Sequence, residues 1–262
     1  MTRAASSAPA RARLPSDALA RSRKRRNGYE ILCEAVFRPL AHPLVLVLAR
    51  LRVPPAAVVV AAGAAGVVAA VEIGRGSLVA AALLIQLKTL LDNADGQLAR
   101  LTGRITAFGR YLDSEVDLVV NAALFAAVAL RYGQPVLAAA GFFALTAVLS
   151  LNFNAERLSR AATAEPETAS ETPSLAAVRA VYQLMYAPQD RLAEWIVARR
   201  PSLASSTSVT VLANLGMSTQ LAAFGLFLAL GHPLGFAWFA VGELAAITLA
   251  LVPQRAPVEE IA

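Results

Sequence analysis

Cysteine, histidine and charge are all scarce in this chain of 262 residues, and each shortage removes a class of protein. A single cysteine, Cys33, cannot close an intrachain disulfide and reads as a small apolar filler. The two histidines, His42 and His232, are too isolated for a zinc site. Charged residues make up 16% of the chain against 57% hydrophobic, with a mean hydropathy of +0.55, which is off the balance of a soluble globular domain. The formal net charge of +6 would suit a nucleic-acid partner. The basic residues, however, crowd into the first fifth of the chain and do not interleave with aromatics, so an anionic lipid surface is the better partner.

The first 28 residues carry Arg3, Arg11, Arg13 and the basic run 21–26 but no apolar stretch long enough for a signal peptide, and they read as a disordered cytosolic tail. From Tyr29 to Leu51 an apolar pattern is broken by Glu34, Arg38, Pro39, His42 and Pro43, which suits an amphipathic helix lying in the membrane interface. Six apolar runs follow: Ala56–Ile73, Ser77–Leu91, Asp117–Leu130, Pro135–Leu151, Val209–Leu230 and Leu234–Val252. Lengths near 20 residues fit helical crossings of a hydrocarbon layer roughly 30 Å thick. The expected fold is therefore all-α and integral to the membrane, with six transmembrane helices after an interfacial one.

The expected membrane domain runs over 29–253, with a cytosolic link at 152–208 and a short cytosolic tail at 254–262. Lys and Arg concentrate in the N-terminal tail, in Arg100–Arg110 and in that link, while the alternate turns offer only Arg75 and Arg131. Both termini are thus expected in the cytosol of a multi-pass cell-membrane protein. Within the link, Leu175–Arg200 is amphipathic and holds Tyr182, Tyr186 and Trp195, so a helix lying in the interface is expected there. No internal repeat is visible, and no second segment is large enough to fold as a soluble domain.

The chemistry concentrates where the second and third runs meet. Asp92, Asp95, Gly96, Ala99, Arg100, Gly109, Asp113 and Asp117 form the pattern D-x2-D-G-x2-A-R-x8-G-x3-D-x3-D. Residues three or four apart share a helix face with side chains about 5–6 Å apart, so Asp92 pairs with Asp95 and Asp113 with Asp117. A short link makes the two helices antiparallel, and four carboxylates can converge near the membrane boundary. Such a cluster repels itself unless cations compensate it. Oxygen ligands favour Mg²⁺, Mn²⁺ or Ca²⁺, and paired metal sites clamp the oxygens of a displacement at phosphorus. Gly96, Ala99 and Gly109 leave room for a backbone or ligand to come close, or serve helix packing. Arg100 can pair with a phosphate or a motif carboxylate, or mark the cytosolic side.

On these residues the sequence resembles the CDP-alcohol phosphotransferases, matching their signature at every fixed position over a region of roughly 30–253. The resemblance implies a membrane enzyme of phospholipid biosynthesis that moves a phospho-alcohol group, usually phosphatidyl, from a CDP-linked donor such as CDP-diacylglycerol to an alcohol and releases CMP. It implies that Asp92, Asp95, Asp113 and Asp117 hold Mg²⁺ or Mn²⁺, two ions in all, and that Asp117 is the general base. Asp92, Gly96, Ala99, Arg100 and Gly109 would hold the CDP donor, and a homodimer is expected.

For the acceptor, Arg104, Arg110, Arg157 and Arg160 flank the same cytosolic face and would suit a phosphorylated alcohol, while Lys88, one turn before Asp92 within a span, would bind a phosphate or tune the metal site. The arginines also satisfy topology, and Lys88 can instead pair with Asp92. In the last two spans, Gln220 and Glu243 are expected to satisfy one another or a neighbouring helix. Two rival readings keep the same carboxylates, namely a non-catalytic membrane relative and a small cation transporter. A transporter would more often set its carboxylates near the midplane, among broken helices and paired repeats.

Overall fold

The computed structural model describes residues 28–159 and 173–251. Regular structure among them is helical throughout, with no strand. A π-helical turn, Cys33–Phe37, leads into α1, Arg38–Arg50; then come α2, Pro55–Arg75, α3, Leu78–Thr102, α4, Ala107–Tyr132, and α5, Pro135–Ser159. After the undescribed stretch come α6, Pro173–Arg199, a 3₁₀ turn at Pro201–Ala204, α7, Ser206–Ala213, α8, Met217–Ala229, and α9, Pro233–Leu251. Four segments are long and apolar enough to cross a membrane: α2, α5, α7 with α8 as Ser206–Ala229, and α9. This fits an integral membrane protein. The helices α3 and α4 fall outside that set, carrying Lys88, Glu115 and Arg131 besides the charges of the motif.

Both motif helices are longer than their apolar runs. Nothing between Asp92 and Thr102 breaks a helix, so α3 continues through the carboxylates until Gly103, at φ 67°, closes it in the left-handed conformation that only glycine adopts cheaply. Thr106 then caps α4, its hydroxyl accepting the Gly109 amide at 3.0 Å, and the helix begins ten residues before Asp117. The expected fifth span is divided at Asn214–Gly216. Asn214 there turns its side chain to the N-terminal segment, donating to the Tyr29 carbonyl at 2.8 Å and accepting the Ile31 amide at 2.9 Å.

The main core joins α2, α3, α4, α5, α8 and α9 around Ile73, Ile85, Leu124, Phe125, Leu145, Phe224 and Phe236. The Phe224 and Phe236 rings stack at 4.4 Å, with Phe125 against both. Gln220 donates to Glu243 at 2.6 Å between α8 and α9, as the sequence suggested, while its buried Oε1 has no hydrogen-bond partner among the described residues. In a second cluster, Ala41 and Val45 of α1 pack on Ala94 and Leu98 of α3, which seats the expected helix at 29–51 beside the motif.

The helix α2 packs against both α3 and α4, and small residues bring it close to α4. A Cβ on Gly63 would stand 2.7 Å from Val116 Cγ1, and one on Gly66 would stand 2.4 Å from Val120 Cγ1. Val120 is buried and cannot retreat. Gly66→Ala is therefore expected to destabilise the protein by about 1–3 kcal/mol through overpacking. Gly74→Ala in the same helix meets nothing within 4 Å and should be neutral or stabilising by up to about 1 kcal/mol. Thermal unfolding of both variants in detergent checks the pair.

Candidate active site

α3 and α4 run antiparallel, with Lys88 meeting Asp117 at one level and Asp95 approaching Asp113 nearer the connecting loop. Their backbones do not pack closely on one another; both lean on α2, and the space between them is lined by polar side chains. Asp92, Asp95 and Asp113 each place a carboxylate oxygen within 4.8 Å of the others. Asp95 is buried, and its Oδ2 has no hydrogen-bond partner. A buried carboxylate oxygen without a donor is costly unless a cation meets it. This donor set is all oxygen and fits a hard divalent metal.

The fourth carboxylate is held differently. Lys88, 1% exposed, donates to Asp92 Oδ1 at 3.1 Å and also to Asp117 Oδ1, bridging the two helices. Lys88 thus pairs with two motif carboxylates, Asp117 as well as the Asp92 that its spacing suggested as a partner. Asp117 remains on the cavity wall, although it stands outside the group of three.

A cavity of about 1040 Å³ opens over the carboxylates. Asp92, Asp95, Asp113 and Asp117 line it, as do Gly96, Ala99, Arg100, Gly109, Arg104, Arg110 and Arg157. Of the residues singled out in the sequence, Lys88 lies behind this wall and Arg160 lies outside the described residues. A Cβ on Gly96 would come within 3.1 Å of the Arg100 guanidinium, so glycine there lets that cation lie back along its own helix. Arg110 stacks over the Tyr111 ring at 4.9 Å, and Arg157 donates to Asn154 Oδ1 at 3.0 Å and pairs with Glu194.

One wall of the cavity was not anticipated. α6 packs against α4 and α5 and contributes Tyr182, Tyr186 and Asp190 to the lining, so its polar stripe faces the site. Asp190 accepts from Asn154 at 2.8 Å and from the Tyr182 hydroxyl at 3.1 Å, and Tyr186 donates to the Ser114 carbonyl at 3.1 Å. Ser150 donates to Gln189 at 2.9 Å. Tyr111, Tyr182 and Tyr186 form a ladder of rings at 5.0 and 4.9 Å. Burial first, then the neighbouring carboxylates, push both α6 phenols well above the usual tyrosine range, so they stay neutral hydrogen-bond donors. The visible signal was the spacing of Tyr182, Tyr186 and Gln189-Asp190, which puts them on one helix face.

The N-terminal segment adds a second unanticipated contribution, since buried Arg38 lines the cavity while paired with Glu34. Cys33, also on the wall, donates its thiol to Asn93 Oδ1 at 3.0 Å.

An all-helical bundle with four segments of membrane-crossing length and apolarity sets three converging carboxylates, a donor set that fits a hard cation, beneath a cavity whose arginines fit an anion. The chain belongs to the CDP-alcohol phosphatidyltransferase family, whose model matches residues 40–200, more than half of its length. It is similar to an archaetidylinositol phosphate synthase of Aeropyrum pernix, 39% identical over 61 residues, which cover 23% of this chain and 31% of that protein. It is also similar to a phosphatidylinositol phosphate synthase of Streptomyces avermitilis, 34% identical over 117 residues, which cover 42% of this chain and 48% of that protein. The matches thus span about a third and about half the length of these curated relatives.

Proposed function

We propose that the chain transfers a phosphatidyl group from CDP-diacylglycerol to the hydroxyl of a phosphorylated polyol, releasing CMP. The observation that carries this reading is the convergence of Asp92, Asp95 and Asp113 within 4.8 Å on the wall of a cavity that Arg100, Gly96 and Gly109 also line. In this reading the three carboxylates hold Mg²⁺ or Mn²⁺, which when bound neutralises the donor diphosphate and stabilises charge developing on it. Arg100 pairs with a donor phosphate, and Gly96, Ala99 and Gly109 leave space for the cytidine end.

Asp117 takes the proton of the acceptor hydroxyl. That oxygen forms a bond to the phosphorus distal to the nucleoside, the bond from this phosphorus to the bridging oxygen breaks, and CMP departs with the bond's electrons. Arg110 and Arg157 line the same cavity as the tyrosine wall of α6, and their charge supports a phosphorylated acceptor. The names of the two relatives are consistent with such an acceptor.

The reading also proposes six crossings, made by α2, α3, α4, α5, α7 with α8, and α9. Both termini and the cavity mouth face the cytosol, and α1 and the outer face of α6 lie in the interface. It further proposes a homodimer of the 29–253 domain.

The test is CMP release by the purified protein with CDP-diacylglycerol and Mg²⁺ or Mn²⁺, offering inositol phosphate, glycerol 3-phosphate, inositol and serine in turn. Metal-dependent CMP with a phosphorylated acceptor is expected. Turnover with unphosphorylated acceptors alone would remove the acceptor assignment, and turnover only with CDP-choline or CDP-ethanolamine and diacylglycerol would remove the donor. CMP from none of these would favour a non-catalytic relative.

A further inference from the structure

We propose that Lys88 is a positioning residue, a counter-ion built into the protein that ties Asp92 to Asp117 and holds the carboxylate cluster together when no metal is bound. The inference rests on the transfer reading above but concerns a residue outside its motif. Lys88 is 1% exposed and lies behind the cavity wall, so it has no access to a substrate phosphate. It stands one turn before Asp92 on α3 and reaches across to Asp117 on α4.

The backbones of α3 and α4 do not pack closely, and although Ile85 and Leu124 share the main core, the two helices bring carboxylates toward one another at the level of the cavity. A compact ammonium with three donors can face two carboxylates at once and offset their repulsion. The same contact has a cost for metal binding. Asp92 is one of the three converging carboxylates, and a fixed positive charge bonded to it competes with any divalent ion that needs its oxygens. Lys88 thus trades metal affinity for order: it weakens metal binding and keeps Asp117 aimed at the acceptor.

This trade separates Lys88 from an ordinary buried ion pair, whose loss would loosen the site and weaken metal binding. The test compares wild type, Lys88→Met and Lys88→Arg in three measurements: Mn²⁺ titration by electron paramagnetic resonance, melting temperature in EDTA and in saturating Mn²⁺, and CMP turnover.

Removing a unit charge a few ångströms from the ligands should tighten Mn²⁺ binding at least about tenfold, even with strong dielectric screening. Lys88→Met should melt about 10 °C lower in EDTA. Saturating Mn²⁺ should restore most of that loss, because metal then supplies the missing positive charge. Turnover should fall at least about tenfold with bound metal, and Lys88→Arg should return Mn²⁺ affinity toward wild type. If Lys88→Met does not fold, Lys88→Gln, which keeps a donor without the charge, is read in the same way.

Mn²⁺ binding that is unchanged or weaker, or a melting loss that metal does not relieve, overturns the inference while leaving the transfer reading intact. Wild-type protein that binds no Mn²⁺ overturns both.

Discussion

Asp113→Asn is expected to lower CMP formation by about 10³-fold, equivalent to about 4 kcal/mol of transition-state stabilisation, and to abolish measurable Mn²⁺ binding at micromolar metal. Asp92 and Asp95 sit on one helix a turn apart, whereas Asp113 is the member of the trio supplied by α4. Without its charge the remaining pair can still approach a cation from one side, but nothing closes the site from the other. Asparagine keeps the volume and one carbonyl oxygen, so the helix and its packing should survive. Asp113 is also not the residue that Lys88 engages, so the bridge between α3 and α4 stays in place. The variant should therefore fold like wild type by melting temperature in EDTA and fail only when metal is added. Retention of more than a tenth of wild-type turnover would mean that these three carboxylates are not the metal ligands.

Much of this arrangement was legible in the sequence because it is set by short-range spacing. Two aspartates three apart and two four apart must share helix faces, and a four-residue turn with glycine at its start must fold the second helix back beside the first. The hydropathy pattern was equally direct for α2 and α9, where apolar runs and helices nearly coincide.

It was less direct for α3 and α4. Hydropathy falls where the charges begin, at Asp92 and before Asp117, yet the backbone has no reason to stop there while those charges face a polar cavity. The division of α7 from α8 was hidden for another reason. It depends on Asn214 bonding to Tyr29 and Ile31, nearly two hundred residues earlier, and no local signal specifies that partner.

The same limit explains α6. Its tyrosines at 182 and 186 have the composition of an interfacial stripe, and only the fold reveals that Asn154, Ser150 and Ser114 wait on α5 and α4 to receive that face. Lys88 lies between these cases. Its spacing from Asp92 was local and readable, whereas its contact with Asp117 is tertiary.

Asp117→Asn provides the second large effect and divides the site into two functions. Turnover is expected to drop by about 10²–10⁴-fold, the usual worth of a positioned proton acceptor, while Mn²⁺ affinity changes little because Asp117 is outside the group of three carboxylates. Asparagine can still accept a hydrogen bond from Lys88 through its carbonyl, so the two helices remain bridged. What it cannot do is receive the proton that, in the proposed transfer, the attacking hydroxyl gives to Asp117.

The loss should therefore appear in kcat, with little change in the KM for CDP-diacylglycerol, since the proposed reading puts the donor on the metal and Arg100 side of the cavity. That pattern is the reverse of Asp113→Asn, in which metal binding and turnover vanish together. If Asp117→Asn lost Mn²⁺ binding as completely as Asp113→Asn, Asp117 would be a required ligand that leaves Lys88 when metal binds. If it turned over normally, the proton would leave the acceptor by another route. The single comparison of Mn²⁺ affinity with kcat in these two variants therefore distinguishes a carboxylate that binds metal from one that moves a proton, although both belong to the same four-aspartate motif.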